Sequence, residues 1–392
     1  MIKKPVRLAW LTTHPIQYQA PLFRSIAKSK DIDLTVLFFS DFSTRDFVDP
    51  EFGKKIQWDT PLLEGYKHEF LEGTGRYIRK IRTFQPLIFG LTKRLTAENF
   101  DAVIIQGWNH YGMLLGALSA KKKGLKVILR CEATDHVQSS SGIKRMIRDL
   151  VVGILFKKTD FFMAIGTNNK TFYLNRGVEI NRIGLMPYCV DNDFFSKKSR
   201  IADLNDIRKS LSIKPEFPVI LYASKFTPRK YPDVLIEAYN LLKEPKPYLI
   251  FVGDGELAES LSTRAKALNL DRVFFLGFKN QSELPGFYAL ADIFVLPSNN
   301  ETWGLVVNEA MNAGCAIITT DGVGSSSDLV KNQINGIICK PGDIKSLHEA
   351  LKSCLQGSKY KAMGNESLKI IQKWGIPENV RELKRFLIGK RL

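Results

Sequence analysis

The sequence predicts an α/β protein made of two doubly wound, Rossmann-like domains, each built on a parallel sheet. Three observations predict this fold class. The chain has 392 residues, enough for about two domains. Short apolar runs alternate with longer stretches of helical spacing, as in βα units around parallel sheets. Hydrophobic residues make up 44% of the chain, so both domains can bury a core.

The apolar runs mark the expected strands in both halves of the chain. In the first half they are Val6–Leu11, Leu34–Phe39, Ala102–Ile105, Val127–Leu129, Phe161–Ile165 and Ile183–Met186. In the second half they are Val219–Tyr222, Tyr248–Val252, Val273–Leu276, Ile293–Leu296, Ala316–Ile318 and Gly336–Ile338. Ligands bind at the carboxyl ends of such strands, so two tandem sheets predict a central cleft that both domains face.

A polar stretch between the two groups of strands, Ser196–Pro218, is expected to be the interdomain linker, since it has cations near its start and prolines at its end. We therefore expect an N-terminal domain over 1–195 and a C-terminal domain over 196–375. A basic helix, Pro377–Ile388, restarts after Trp374 with proline in its first turn, and 376–392 form a separate terminal segment.

The charge balance favours acidic partners. Lys and Arg number 57 and Asp and Glu 40, which gives a net charge of +17. Nucleic acid, an anionic membrane surface and phosphorylated substrates all fit this surplus, and net charge alone does not choose among them.

The cysteines and the N-terminus indicate the compartment. The five cysteines are scattered and form no Cys-x-x-Cys pair, which favours a reducing environment. Arg7 interrupts the first apolar stretch and His14-Pro15 ends it, so we expect a first strand and not a signal peptide. No apolar run approaches the roughly 18 residues of a spanning helix. The expected location is the cytoplasm, at most peripheral to the inner face of the membrane.

The segment Ser298–Met311 carries the densest chemistry. Glu301 is expected in a loop after a strand, and Glu309 about two turns into the following helix. A diphosphate suits a helix start, because the first N–H groups are unpaired and the dipole favours an anion. The groups expected there are the N–H groups of Gly304, Leu305 and Val306. The spacing alone is weak, since a helix with surface carboxylates explains it equally well.

Ser298–Met311 resembles the acidic motif of the retaining glycosyltransferases of family 4, which have the GT-B fold. Neighbouring motifs follow in that family's order, namely Pro187–Asp191, Gly253-Asp254-Gly255 and Gly277-Phe278. The likeness covers nearly all of the second half and the first half more loosely. It implies an N-terminal acceptor domain, a C-terminal nucleotide-sugar domain and a last helix that returns to the first domain.

The resemblance also implies residue roles in the donor site. Glu309 would bind the ribose hydroxyls of a UDP- or GDP-linked sugar, and Glu301 the hydroxyls of that sugar. Gly277 and Phe278 would lie along the base, and Gly253 would belong to the same donor site.

Two cations are expected to neutralise the departing diphosphate. Within Ser224–Tyr231, Lys230 matches the family's lysine, whereas Lys225 stands where the family has arginine. Cations at the end of a strand can stabilise the leaving group without metal, although lysine lacks the fork geometry of arginine. A solvated basic loop is the alternative.

The first domain departs further from the family. His14 stands in place of a glycine-rich turn and could contact either substrate, or cap the following helix. Glu132 occupies the turn where the family has a histidine, and could hold a sugar hydroxyl or assist deprotonation of the acceptor. A salt bridge between Arg130 and Glu132 is the alternative. Gln106–His110 offers further acceptor contacts.

No metal site is expected. The pairs Asp31/Asp33 and Asp191/Asp193 have the Asp-x-Asp pattern, but neither lies with a His and carboxylate cluster of the kind that binds metal. The first pair stands where a helix turns into a strand, and the second belongs to the interdomain motif. We therefore predict metal-independent transfer, with no cofactor beyond the donor substrate.

Two basic segments, Arg76–Phe84 and Ile143–Arg148, mix cations with apolar residues at helical spacing, as interfacial helices do. The alternative is a helix that packs on the sheet and exposes its cations to solvent. In an acceptor domain they favour a lipid-linked acceptor at an anionic membrane. Nucleic acid is not expected as a partner, since no binding-motif signature appears.

The function implied is retaining transfer of a sugar from a nucleotide donor to a hydroxyl acceptor during assembly of bacterial surface polysaccharide, lipopolysaccharide or glycolipid. One alternative is a phosphorylase or a sucrose-type synthase on the same scaffold. An alternative of another class is a noncatalytic protein that binds nucleotide sugars or nucleic acid.

Overall fold

The alternation of strands and helices is present in the computed structural model, which describes residues 4–49, 54–75, 78, 81–135 and 142–389. The chain forms two units. The first comprises residues 1–47, 60–188 and 376–392, and the second comprises 48–59 and 189–375. The chain therefore passes between the units at 47/48 and 59/60 as well as at 188/189 and 375/376.

The sheet of the first unit has, among the described residues, seven parallel strands. They are β1 (Val6–Thr12), β2 (Ile32–Phe38), β5 (Lys67–Phe70), β6 (Ala102–Gln106), β7 (Lys126–Cys131), β8 (Phe161–Ala164) and β9 (Ile183–Leu185). Their order is β5-β2-β1-β6-β7-β8-β9. The helices of this unit are α1 (Ala20–Ala27), α2 (Leu91–Arg94), α3 (Tyr111–Lys122), α4 (Ile143–Lys158), α5 (Thr167–Leu174) and α15 (Ile376–Ile388).

The sheet of the second unit has six parallel strands within the described ranges. They are β10 (Val219–Ala223), β11 (Tyr248–Val252), β12 (Val273–Phe275), β13 (Ile293–Leu296), β14 (Ala316–Thr320) and β15 (Gly336–Cys339). Their order is β12-β11-β10-β13-β14-β15.

Helices connect the strands of the second unit: α6 (Asn192–Ile201), α7 (Leu204–Ser210), α8 (Pro232–Asn240), α9 (Ala258–Ala267), α10 (Leu284–Leu290), α11 (Leu305–Asn312), α12 (Ser326–Leu329), α13 (Ile344–Leu355) and α14 (Lys359–Ile371). Two short strands, β3 (Phe47–Asp49) and β4 (Lys54–Ile56), pair with each other.

The central strands are continuous apolar runs because both faces of a parallel sheet are covered. Every residue of β10 and β11 is buried. Each unit has a core in which strand residues pack against the helices, with Leu11, Val103 and Met113 in the first unit and Phe251 and Leu351 in the second. The sequence pattern that predicts two cores thus corresponds to two separate packed interiors.

Each sheet reverses its strand order once. In the first unit the reversal lies between β1 and β6, and in the second between β10 and β13. Loops at the carboxyl ends of these strands splay apart at such a point and leave a crevice for ligands. The loops that follow β10 and β13 carry Lys225, Lys230 and Glu301.

The expected strands are all present, but the connections differ from the expected ones in two places. The stretch 196–218 is not a linker, because α6 and α7 occupy most of it. The side chain of Asn192 on α6 contacts the Ile371 carbonyl and the Asn312 amide, both in the second unit. The change of unit consequently falls at 188/189 and not at 195/196.

The second difference is the segment 48–59, which the sequence places in the first domain and which is grouped with the second unit. Lys54 forms an ion pair with Asp254, and Asp59 accepts hydrogen bonds from Ser282. These contacts join residues 200 and 223 positions apart, and no local pattern encodes them.

Helix α15 belongs to the first unit, as the expected return of the last helix requires. The Asn379 amide donates to the Pro187 carbonyl at 2.9 Å, and the Lys384 ammonium pairs with Asp31 at 2.8 Å. The Phe386 ring packs edge-on against Phe161. Within the described part of the chain, no helix is both long and apolar enough to cross a membrane.

Candidate active site

The strand reversal of the second unit brings Lys230 and Glu301 together. Lys230 ends a short 3-10 turn after β10, and Glu301 lies in the loop after β13. Their ammonium and carboxylate form an ion pair in which the side chains are 8% and 15% exposed. The Glu301 backbone is fixed as well, since its N–H donates to Gly322 and its carbonyl accepts from Gly324. A shielded ion pair therefore joins two of the residues expected in the donor site.

Arg229 is a third charge at this position, and sequence reasoning missed it. Its guanidinium lies 3.3 Å from the same Glu301 carboxylate oxygen as Lys230, and its carbonyl accepts from the Asn299 N–H. Arg229 directly precedes Lys230, the lysine that matches the family motif. The motif predicts cations only at the positions of Lys225 and Lys230, so it did not indicate a role for Arg229. Two cations thus share one carboxylate at the mouth of the crevice.

Lys225 lies in the loop that follows β10. The Tyr222 hydroxyl donates to the Lys225 carbonyl at 3.0 Å, and the side chain of Lys225 is half-buried. Gly253 is required beside this loop, since a Cβ at its φ of +138° would lie 1.9 Å from the Ser224 carbonyl oxygen. The structure thus gives Gly253 a packing role against the Lys225 loop, whereas donor contact by Gly253 stays an expectation.

Helix α11 begins directly after Gly304, which has a left-handed φ of +91°. A Cβ at Gly304 would lie 3.1 Å from both Leu296 and Val323, so glycine fits a tightly packed turn. The N–H groups at the first turn of a helix have no acceptor within the helix. Leu305 and Val306 form that first turn, directly after the loop that carries Glu301. An anion site at these N–H groups stays a prediction.

Glu309 is buried, being 6% exposed, so it is not the surface carboxylate that the spacing alone allowed. Tyr288 on α10 donates its hydroxyl to Glu309 Oε2 at 2.7 Å, and the Gln281 side chain moderates the pKa of this carboxyl. Burial raises the pKa of Glu309 to about 7. Near neutral pH this carboxyl is therefore partly protonated and partly ionised. The protonated form can donate a hydrogen bond, whereas the ionised form only accepts.

The loop expected along the base follows β12. The Gly277 carbonyl accepts from the Gly253 N–H at 2.9 Å, which joins this loop to the one after β11. Phe278 is half-buried. The following residues, 279–283, include Gln281, whose side chain moderates the pKa of Glu309.

In the first unit, Glu132 follows β7 and its carboxylate accepts a hydrogen bond from the Tyr188 hydroxyl. Arg130 donates to the Met186 and Pro187 carbonyls, and its guanidinium lies 4.5 Å from the centre of the Tyr188 ring. Arg130 thus holds the backbone before the change of unit, while Tyr188 positions Glu132. Burial raises the pKa of Tyr188 well above its ordinary value, so the hydroxyl stays protonated and donates.

His14 follows β1 at the strand reversal of the first unit. Its Nδ1 lies 2.9 Å from the Thr13 hydroxyl, and its ring packs edge-on against Phe42. The N-cap position of α1 is Gln19, so His14 does not cap that helix. Burial lowers the pKa of His14 to about 4, so the imidazole is neutral at pH 7.

His110, in contrast, does cap a helix. Its Nδ1 accepts from the Gly112 N–H at the start of α3, and its Nε2 lies 3.0 Å from the Pro86 carbonyl. In the same segment, Trp108 packs against Phe172. His110 and Trp108 are therefore structural in this geometry.

The two Asp-x-Asp pairs have structural partners. Asp31 pairs with Lys384, Asp33 with Lys67, and Asp191 caps α6 by accepting from the Phe194 N–H. Over the described ranges, no three His, Cys, Asp or Glu side chains form a group that could hold a metal ion.

The two basic segments have different outcomes. In Arg76–Phe84, residues 76, 77, 79 and 80 lie outside the described residues, and 82–85 form a turn and not a helix. Ile143–Arg148 is helical, as the first part of α4. Met146, Ile147 and Leu150 on α4 are 72%, 58% and 66% exposed. Leu115 and Leu118 on the adjacent α3 are partly exposed too.

Several known proteins are similar to this chain. Residues 203–369 match the family described as Glycosyl transferases group 1. The UDP-Gal:alpha-D-GlcNAc-diphosphoundecaprenol alpha-1,3-galactosyltransferase of Escherichia coli is 27% identical over 329 residues, which cover 80% of this chain and 81% of that protein.

Two further similarities extend over most of the chain. A diphospho-undecaprenol 4-alpha-N-acetylgalactosaminyltransferase of Campylobacter jejuni is 24% identical, over 70% of this chain and 73% of that protein. The crystal structure of HepE from Anabaena in complex with UDP has a TM-score of 0.73 at 18% identity, and covers 97% of this chain and 99% of its own. The last similarity shows the fold, which is GT-B.

Proposed function

The chain is a glycosyltransferase whose second unit carries the group 1 domain, and on that premise we propose that it transfers a sugar from a UDP-linked donor to a hydroxyl acceptor with retention of configuration. The observation that carries this proposal is the ion pair of Lys230 and Glu301 at the strand reversal, within the matched range 203–369. The Escherichia coli relative is named for a UDP-Gal donor and HepE crystallised in complex with UDP, which supports uridine as the base.

The proposed chemistry places the donor diphosphate on Lys230, Arg229 and the start of α11. The bond between the anomeric carbon and the diphosphate oxygen breaks, and its electron pair leaves with the diphosphate. Lys230 and Arg229 neutralise that charge together with the first N–H groups of α11. In this scheme the transfer is independent of metal, because three sources of positive potential take the place of a divalent cation.

The acceptor oxygen then bonds to the same face of the sugar from which the diphosphate departs. Its proton goes to a diphosphate oxygen, so charge and protons balance without a protein nucleophile. Glu301 holds hydroxyls of the donor sugar in this proposal. Its carboxylate is available for that task once the diphosphate takes over Lys230 and Arg229, which it binds in the free protein.

Glu309 is proposed to bind the ribose hydroxyls. A buried carboxylate forms strong charge-assisted hydrogen bonds when two hydroxyls donate to it. Its exchange of protons near pH 7 makes donor binding depend on pH. Gly277 and Phe278 remain the proposed base contacts, and Glu132 and His14 the proposed contacts of the acceptor or the donor sugar.

The acceptor is proposed to be a lipid-linked glycan at the inner face of the cell membrane. The names of both relatives state a diphospho-undecaprenol acceptor. Helix α4 combines exposed Met146, Ile147 and Leu150 with the cations Arg148, Lys157 and Lys158, a composition typical of interfacial helices. We propose that this surface contacts anionic lipid, and we do not propose a nucleic-acid partner.

One experiment tests the reaction. The protein is incubated with UDP-galactose, UDP-glucose and their N-acetylamino counterparts in the presence of a lipid-diphosphate-linked acceptor. We expect stoichiometric UDP and a new glycoside whose anomeric configuration, determined by NMR, equals that of the donor. An inverted product contradicts retention, release of UDP without a glycoside contradicts transfer, and product formed only with inorganic phosphate or fructose identifies the phosphorylase or synthase alternatives.

A further inference from the structure

We propose that the segment 54–59 is part of the donor site, with Asp59 as a positioning residue that sets the affinity for the nucleoside diphosphate. The segment comes from the first half of the chain, whereas the matched region begins only at residue 203. The inference rests on the proposed function, because that function assigns Glu309 to the ribose.

The segment is tied to two loops of the second unit. Asp59 Oδ2 accepts hydrogen bonds from both the N–H and the hydroxyl of Ser282, the former at 3.1 Å. The Asn280 amide donates to the Gln57 carbonyl at 2.6 Å. Lys54 pairs with Asp254 in the loop after β11. The segment therefore connects the loop that packs beside Lys225 with the loop that follows Phe278.

Ile56 anchors the middle of the segment, since its side chain is buried while those of Lys54, Gln57 and Asp59 are exposed. Burying an isoleucine side chain stabilises a fold substantially, whereas exposed ion pairs contribute little. The polar contacts of the segment consequently add little to overall stability. Their effect is to fix the geometry of the loops to which they connect.

The residues held by this segment flank Gln281. Asn280 and Ser282 are bound to Gln57 and Asp59, and Gln281 lies between them in the loop that follows Phe278. Gln281 also moderates the raised pKa of the Glu309 carboxyl. Further bonds shape the same turn: the Asn280 N–H donates to Glu283 Oε2 at 3.1 Å, and the Gln281 N–H donates to Asn280 Oδ1 at 3.0 Å. Hydrogen bonds from the segment therefore fix the loop that joins Phe278, a proposed base contact, to Gln281, which acts on the carboxyl assigned to the ribose.

This arrangement predicts an effect on binding and not on the chemical step. Asp59 and Ser282 act through the 279–283 loop and contact none of Lys230, Arg229 and Glu301 in the described hydrogen bonds and ion pairs. Loosening the loop releases Gln281 and leaves Glu309 with its Tyr288 partner. Donor affinity then falls, while the rate at saturating donor stays the same.

The test compares Asp59→Ala, Ser282→Ala and the double variant with the wild-type protein, using titration calorimetry with UDP, GDP and ADP. We expect each single change to weaken binding of the preferred diphosphate about 5-fold and the double change to weaken it no further, because coupled residues are not additive. Asp59→Asn keeps an oxygen acceptor for Ser282 and should restore most of the affinity. Glu64→Ala, at an exposed carboxylate in the first unit, is the matched control.

The outcomes separate this inference from the proposed function. If the wild-type protein binds a diphosphate and the Asp59 and Ser282 variants bind it equally well, or if their effects add, the inference is wrong and the function stands. If the wild-type protein binds none of the three diphosphates, the proposed function is wrong and the inference falls with it. A loss of kcat at saturating donor would place Asp59 in the chemistry and contradict a positioning role.

Discussion

At the scale of single residues, Glu309 shows what a sequence motif leaves open. The spacing to Glu301 predicted a carboxylate in the helix after the loop, but not whether it is exposed. Burial and the Tyr288 hydroxyl follow from packing between α10 and α11, which no pattern within the motif specifies. The same holds for Arg229, whose approach to Glu301 depends on two loops about 70 residues apart in the chain.

Replacing Glu309 with Gln should change how stability depends on pH. The folded-state pKa of about 7 lies above the ordinary value of 4.5, so the folded protein binds more protons between these pH values. The carboxylate therefore lowers stability progressively as pH rises from about 4.5 to about 7. Relative to wild type, Glu309→Gln should gain about 1–3 kcal/mol of unfolding free energy between pH 5 and pH 8, measured by urea denaturation.

The same variant should bind UDP weakly at pH 8, because an amide cannot accept from the ribose hydroxyls as a carboxylate does. Tyr288→Phe is the companion change, since it removes only the hydroxyl that donates to Glu309. Equal UDP affinity of folded Glu309→Gln and wild-type protein would remove Glu309 from the donor site.

Lys230 and Arg229 should differ in their effect on the reaction. Lys230 is buried with Glu301, whereas Arg229 is more exposed and reaches the same carboxylate at 3.3 Å. Removal of a donor that stabilises developing charge in a shielded site lowers kcat by about 10²–10³-fold. We expect Lys230→Met to have an effect of this size and Arg229→Met a smaller one, measured at saturating donor. Equal losses would mean that both cations bind the leaving group alike.

At the scale of elements, the strands and the last helix were predictable because their signal is local. Strand β13 and helix α11 follow from a run of four apolar residues, a loop and a glycine at a left-handed turn. Strand β5 (Lys67–Phe70) was missed because three of its four residues are polar and none of the four is buried. The segment 54–59 was missed for another reason, since its partners lie 223 residues away.

Helix α4 carries the prediction that belongs to this scale. A helix with exposed apolar side chains and cations binds a lipid surface in two ways. The apolar side chains insert between the lipids, and the cations attract anionic headgroups. Leu150→Glu should therefore reduce co-sedimentation with vesicles that contain phosphatidylglycerol. Ile201→Glu changes a side chain of similar exposure, 75% against 66%, in the second unit and is the control. Equal losses for the two variants, or no binding at low salt, would favour an acceptor in solution.

At the scale of the whole molecule, the net charge of +17 acts on both substrates. A positive protein attracts a nucleotide diphosphate and an anionic membrane alike, and screening weakens both attractions as salt rises. The sequence shows this surplus but not its distribution. In the structure part of it is paired within the first unit, as in Lys384 with Asp31 and Arg94 with Glu69, and part lies with Glu301 at the strand reversal.

The charge at that reversal leads to the prediction about metal. If Lys230, Arg229 and the first turn of α11 neutralise the departing diphosphate, transfer should proceed at an unchanged rate in excess EDTA. The control is Lys230→Met, in which the loss of one cation should make added Mg²⁺ partly stimulatory, because an added divalent ion can replace the missing charge. Activity of the wild-type protein that disappears with EDTA and returns with Mg²⁺ or Mn²⁺ would show that the protein cations do not suffice for leaving-group stabilisation.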